Sequence, residues 1–455
     1  MKIVIVYELP QRELENDLLL KSYLESLGIS CDIVKFPYRN IIELRRKYKD
    51  KVDLVIVHSL YDDKVINHLV YSVFGRTKYI INMQVEQIGT NKSENDVNSY
   101  GRPKGSAKYG FHVCWGIKSK RKMESCGIAE DHILQTGPIQ MDFLRKEFED
   151  YYYTREEILD HYGIDGNKTI ALFISSFSYV GLPEYAKKEL KGKIGIERFE
   201  SFEKLSEESL IGISSWFAKY LQDNKDIIIV YRKHPAENLS EEVLNLKEMY
   251  PDNFLLISDY SVKQWIMVSD MILTWYSTSV AEAYYAKKTV LVLRPVTIEK
   301  DNDVTILNNI RPIDSYEEFV KSISSGNYFS NLDDGIMNSY FDVDEKIPSY
   351  ARLGDMIIGI LNSQDTFFPW SRYDTKKYDR INRINRIKSV LYKPYKITLL
   401  GLEKIQHSLK IKLPISLTKR IENQAKERAK IANQNEEIIR LTQKADMFDA
   451  IISRF

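Results

Sequence analysis

The segment IIIVYRKHP, Ile227–Pro235, is a run of five apolar residues closed by two cations, a histidine and a proline. A short, unbroken apolar run bounded by turn residues reads as a strand buried on both faces, which is the habit of parallel sheets covered by helices. Pro235 ends the strand and restricts His234 to an extended backbone, so the His and Arg side chains leave the strand end together. Working outward, Thr169–Ser175, Phe254–Ile257, Met271–Thr274 and Thr289–Leu293 have the same character, with helical spacings between them. An earlier series does likewise: Lys2–Tyr7, Cys31–Phe36, Asp53–His58, Tyr79–Met83, His112–Trp115 and Ile133–Thr136, with an amphipathic helix over Arg12–Leu27 that stops at Gly28. Strands alternating with helices predict an α/β chain with two successive parallel-sheet units.

The expected boundaries are a first unit over 1–150, a second over 165–350, a crossover segment over 351–378 and a helical tail over 379–455. The crossover carries Phe367, Phe368, Pro369 and Trp370, which either clamp the two halves or pack on the surface. The tail is basic. Residues 376–430 hold sixteen Lys/Arg against four Asp/Glu, while the whole chain nets +1. A basic tail on an acidic body points to an anionic partner. Its mixture of Arg/Lys with Ile/Leu at helical spacing fits an amphipathic helix on an anionic membrane face. The last 39 residues, Leu417–Phe455, read as a long helix suited to self-association. Nucleic acid is disfavoured, because the tail has no aromatic platform and the body is acidic. Three scattered cysteines, Cys31, Cys114 and Cys126, form no metal or disulfide pattern and suit a reducing compartment. The opening apolar run is a strand rather than a signal peptide. These features together predict a cytoplasmic protein, peripheral on the inner face of the plasma membrane.

In open α/β sheets, ligands sit beyond the carboxyl ends of the strands. In the second unit that edge offers Arg232, His234 and Pro235 after one strand and Trp275-Tyr276-Ser277-Thr278-Ser279 after another, with Glu282 on the helix that follows. Hydroxyls and N–H groups at a helix start suit phosphate, and Glu282 suits ribose hydroxyls. The plain alternative is a helix cap at Ser277–Ser279 and a packed loop histidine. In the first unit, Glu8 follows the first strand at the corresponding edge and Glu13 opens the next helix, so both are candidates for a site there. Glu13 has the competing use of serving the helix N-terminus with Arg12 beside it. Gln84, Glu86 and Gln87, after the strand Tyr79–Met83, are further acceptor-side candidates, with Arg12.

His234-Pro235 followed by Ser277-Thr278-Ser279 resembles the HP and serine/threonine motifs of bacterial sialyltransferases, polysialyltransferases and capsule Kdo transferases. The stretch from Phe254 through Ser258-Asp259-Tyr260-Ser261 to Leu293 is similar to their donor domain and to that of teichoic-acid glycerophosphotransferases. Ser175-Ser176-Phe177-Ser178 resembles the loop that opens such a domain. Trp115-Gly116, Gly127-Ile128, Thr136-Gly137-Pro138 and Asp142 resemble the close of the acceptor domain. Tyr7–Glu15 is similar to the opening of surface carbohydrate biosynthesis proteins.

The resemblance implies a GT-B glycosyltransferase, with two Rossmann-like domains facing across a cleft. It implies a nucleotide-sugar donor, first a CMP-activated acidic sugar such as Kdo or a nonulosonate, and a glycan or lipid-linked acceptor. The nucleotide would be held by Arg232, His234, Pro235, Ser175, Ser176, Ser258, Tyr260, Ser277, Thr278, Ser279 and Glu282. No cofactor or metal is expected, since Asp342-Val343-Asp344 lies in a polar late loop. The acidic pair before Gly that supplies the base in sialyltransferases has no early counterpart here, and Asp333-Asp334-Gly335 reads as a solvated turn, so the base that takes the acceptor's hydroxyl proton would come from elsewhere, with Glu8 and Glu13 as the substitutes. Alternatives are a CDP-glycerol or polyol phosphotransferase, a nucleotide-sugar 2-epimerase and a non-catalytic assembly scaffold.

Overall fold

Residues Ile3–Val6 are at most 1% exposed, and this continuous burial makes Lys2–Tyr7 (β1) an inner strand. Ser30–Lys35 (β2), Leu54–Val57 (β3), Tyr79–Asn82 (β4), Phe111–Cys114 (β5) and Ile133–Gln135 (β6) complete a six-stranded sheet ordered β2-β1-β3-β4-β5-β6. Every pair in it is parallel. The second sheet holds Thr169–Ile174 (β7), Ile227–Arg232 (β8), Phe254–Ile257 (β9), Met271–Thr274 (β10) and Thr289–Val292 (β11), in the order β11-β10-β7-β8-β9 and again all parallel. The two α/β sheets expected from the sequence are both present, strand for strand.

The computed structural model describes residues 1–36, 41–99, 101–325, 332–363, 367–386 and 415–454, with side chains of the last helix described from 434 onward. It divides into two units. The first gathers the described residues of Met1–Gln87, Tyr100–Ile139 and Asp342–Phe455, and the second those of Ile88–Ser99 and Gln140–Phe341.

The first unit takes up the chain's C-terminal part. Phe368, Tyr373 and Tyr378 join the apolar cluster of Val4, Val55 and Val70. The indole of Trp370 donates to the carbonyl of Thr77 at 2.7 Å. The aromatic segment therefore packs on the first unit's own core. Asn67 and Asn382 exchange a buried pair of amide hydrogen bonds at 3.1 and 2.8 Å. The last helix, Ile415–Ile452, lies on helix Pro10–Ser26. There Leu441 packs with Tyr7 and Leu14, and Phe448 and Ile451 are buried. The basic amphipathic stretch expected at the membrane lies, over 387–414, outside the described residues. Among the described residues no helix is long and apolar enough to cross a membrane.

Gly137 shows how closely the chain approaches itself where it rejoins the first unit. Its φ is +77°, and a Cβ there would stand 2.3 Å from the carbonyl oxygen of Asp342. Asp342 is held in turn by Arg352 and Gln135 at 2.9 and 2.7 Å, so it acts as a structural tie. Asp333 caps helix Asp334–Tyr340 by accepting from the N–H of Ile336 at 2.9 Å.

Candidate functional site

The parallel order of the second sheet brings the carboxyl ends of β8 and β10 to the same edge, on either side of β7. The Arg232–Pro235 and Ser277–Ser279 turns therefore leave the sheet on one side, two strands apart, or about 10 Å.

The His–Pro turn is organised by a residue that the sequence analysis did not single out. Glu237 is 3% exposed. Its carboxylate accepts from Ser175 Oγ and Tyr231 Oη, both at 2.6 Å, and from the His234 main-chain N–H at 2.9 Å. Ser175, expected to face phosphate, thus donates its hydroxyl inward. His234 Nδ1 accepts from the N–H of Ala236 at 3.1 Å. In the neutral ring this leaves the proton on Nε2.

Arg232 also has a structural task. Its guanidinium donates to the carbonyls of Asp259 and Tyr260 at 2.8 and 2.7 Å. Tyr260 has a left-handed φ of +56°, and Arg232 helps hold that strained turn after β9. Ser258 is exposed there, and Ser261 caps helix Val262–Val268 by accepting from the Gln264 N–H.

After β10, the backbone N–H of Ser277 donates to Thr274 Oγ1 at 3.3 Å and that of Ser279 to Ser277 Oγ at 3.2 Å. Ser279 precedes helix Val280–Tyr285 without a side-chain cap bond. Thr278 is exposed, and Ser277 and Ser279 are half-buried. Burial raises the carboxyl of Glu282 above its ordinary range, with Lys263 acting in the opposite sense.

The first unit gathers charge at the carboxyl ends of β1, β3 and β4. Glu13 is fully buried. It accepts from the N–H groups of Glu8 and Leu9 at 2.5 and 3.1 Å, and from Arg12 Nη2 at 2.8 Å. Burial pushes its carboxyl up, but His58, Arg12 and the two backbone N–H groups together hold it below the usual range. Such a carboxylate is a poor proton acceptor and a good helix start. Glu8 is the reverse case. It is half-buried, accepts from Ser59 Oγ at 3.2 Å, and is raised first by burial and then by Glu13.

Arg12 bridges Glu13 and the exposed Glu86. Gln84 is turned inward, donating to the carbonyl of Gly101 at 3.0 Å. Gln87 spans the Val113 carbonyl and the Trp115 N–H, both at 2.9 Å. Of these three acceptor-side candidates, Glu86 is the exposed one.

Behind this edge, His58 Nε2 and Asp17 Oδ2 stand 2.9 Å apart, both side chains buried. The pair escaped the sequence analysis because its members are 41 residues apart and neither belongs to a recognisable motif. Among the described residues, no group of three or more His, Cys, Asp or Glu side chains is arranged to hold a metal ion.

No family model matches the sequence, and no curated protein matches it. Solved structures do. Wall teichoic acid polymerase TagF, as a histidine-to-alanine variant, shares 13% identity over 80% of this chain and 90% of that one, with a TM-score of 0.52. A histidine-to-asparagine TagF variant soaked with CDPG shares 14% over 80% and 90%, with a TM-score of 0.51. A protein assigned as a UDP-N-acetylglucosamine 2-epimerase from Listeria monocytogenes shares 14% over 80% and 98%, also at 0.51. At these identities the likeness is one of fold. The two parallel-sheet α/β domains are of the GT-B type.

Proposed function

We propose that the chain is a transferase that moves a group from a nucleotide-activated donor onto a surface glycan or lipid-linked acceptor. The observation behind this is that the His–Pro turn and the hydroxyl turn share one sheet edge, in a fold that TagF and the Listeria protein also have. The first donor to test is a CMP-activated acidic sugar, as the HP and serine/threonine motifs imply. The nucleotide would lie on the second unit, with His234 Nε2 and the Ser277–Ser279 turn donating to its phosphate. As the bond from the sugar carbon to the phosphate oxygen breaks, its electron pair stays on that oxygen, and these donors stabilise the charge. The acceptor oxygen forms the new bond to the sugar carbon and gives its proton to a carboxylate. Glu8 suits that task better than Glu13, because Glu13 is already saturated with donors.

The likeness to TagF soaked with CDPG favours a second reading, a CDP-polyol phosphotransferase. A nucleotide-sugar 2-epimerase is the rival from another class, and the Listeria protein speaks for it.

Incubating the intact chain with CMP-Kdo, CMP-sialic acid, CDP-glycerol and UDP-N-acetylglucosamine, with surface polysaccharide as acceptor, separates these readings. Acceptor-dependent CMP release, abolished in a folded His234→Ala variant and retained with a chelator, is expected. Acceptor-independent epimerisation of the UDP-sugar overturns the transferase assignment. Complete loss with a chelator, restored by magnesium or manganese, overturns metal independence.

A further inference from the structure

Arg294 lies two residues beyond β11 and is only 4% exposed. Its Nη2 bonds Asp303 Oδ1 at 2.7 Å, and its guanidinium carbon lies 5.7 Å from the centre of the Tyr276 ring. Its Nη1 is buried and has no hydrogen-bond partner among the described residues. A buried donor without an acceptor is costly, and the cost is greater for a charged group. Ser176, two residues beyond β7, also has a buried hydroxyl with no partner among the described residues.

The sheet order gives these two groups a common meaning. β10 lies between β11 and β7, so Arg294 and Ser176 flank the Tyr276–Ser279 turn, each about one strand spacing, or about 5 Å, to either side. Guanidinium N–H groups and hydroxyls around one turn suit a ligand that brings acceptors and negative charge. Trp275 Nε1 also has no partner among the described residues, but Trp275 is fully buried and stacks on Phe177 within the apolar cluster, so it belongs to the core.

We propose that Arg294 is a phosphate-binding residue. With Ser176 and the Ser277–Ser279 turn, it holds a phosphate oxyanion of the nucleotide at the end of β10. This rests on the nucleotide-binding reading of the second unit and makes it more specific. The phosphate seat is centred on β10, and the His–Pro turn reaches it from two strands away. Asp303 competes with the phosphate for the guanidinium and so sets the strength of the site.

The test is calorimetric titration of the intact chain with CMP, CDP, UDP and GDP, and with the nucleoside of whichever binds best. It compares wild type, Arg294→Gln, Arg294→Lys and Asp303→Asn, each with a thermal melt. Arg294→Gln is expected to weaken nucleotide binding about 10- to 100-fold, the worth of a charge-assisted hydrogen bond, and to leave nucleoside binding unchanged. Asp303→Asn is expected to hold or raise nucleotide affinity. If Arg294 only ties down Asp303, both substitutions will lower affinity alike, and the proposal falls. Should Arg294→Gln not fold, Arg294→Lys decides, because it keeps the charge without the planar fork; unchanged nucleotide affinity in it overturns the proposal. A wild-type chain that binds none of the nucleotides refutes the nucleotide-binding reading itself, whereas nucleotide binding indifferent to Arg294 refutes only this assignment.

Discussion

The carboxylate of Glu237 accepts the main-chain N–H of His234 at 2.9 Å, and this bond fixes the course of the His–Pro turn as it leaves β8. The same carboxylate satisfies the buried hydroxyls of Ser175 and Tyr231. Glu237→Ala removes the acceptor of the His234 N–H and leaves Ser175 and Tyr231 only each other, at 3.0 Å, so it is expected to lower unfolding stability by about 2–4 kcal/mol. Glu237→Gln keeps the shape and should cost about 1–2 kcal/mol. Denaturant unfolding checks both. Equal stability of all three proteins would mean that the turn does not depend on this carboxylate.

Glu8 and Glu13 are separable by activity. Removing a general base typically costs about 10²–10⁴-fold in rate. Glu8→Gln should show such a loss in turnover with little change in melting temperature. Glu13→Gln should act mainly on stability, because it keeps one acceptor oxygen and sets an NH2 group against either the two backbone N–H groups or Arg12. A base works ionised, and Glu8 is raised above its ordinary 4.5. The acid limb of the rate profile should therefore fall at a pH above 4.5 and move in Glu13→Gln, since Glu13 contributes to the shift. A limb that stays put in Glu13→Gln would remove Glu8 from the role.

The His58–Asp17 pair makes stability depend on pH. Burial alone would lower the imidazole's pKa, but the charge and hydrogen bond of Asp17, helped by Glu13, bring it above 6.5. Asp17 is also raised, first by burial. Both shifts favour the protonated forms in the folded chain, so the two linkages have the same sign. The contribution of His58 is complete below about pH 6.5 and is lost as pH rises through its higher folded value. Melting temperature should fall across that window in the wild type and stay flatter in His58→Asn. Parallel curves for the two proteins would contradict this.

The strands were legible because a strand buried on both faces must be an unbroken apolar run, as at Ile3–Val6 and Ile227–Tyr231. The two turns of the second sheet were legible because Pro235 and three consecutive hydroxyl residues are local signals. The partners of those turns were not. His58 and Asp17 meet only through tertiary structure, and Arg294 becomes informative only once its burial and its unpartnered Nη1 are known. Glu237 was within reach, three residues beyond His234, but a lone glutamate in a turn looks like surface until its 3% exposure is seen. For Gln84 and Ser175 the chain position says nothing of the direction of the side chain, which is inward in both cases.

Gly137 is a site where size alone decides. Alanine there would combine a left-handed backbone with a Cβ 2.3 Å from the Asp342 carbonyl oxygen, so that main chain would have to move. Gly137→Ala is expected to cost about 1–3 kcal/mol or more. A melting temperature equal to that of the wild type would show that the junction yields freely.

Hydrogen exchange of the intact chain, with and without the nucleotide it binds best, tests most directly whether the carboxyl edge of the second sheet is a nucleotide site. Slower exchange is expected at the backbone around Ser175–Ser178, Lys233–Glu237 and Tyr276–Val280, and should be lost in His234→Ala at the same nucleotide concentration. Protection confined to other segments, or none with CMP, CDP, UDP or GDP at saturating concentration, would contradict it.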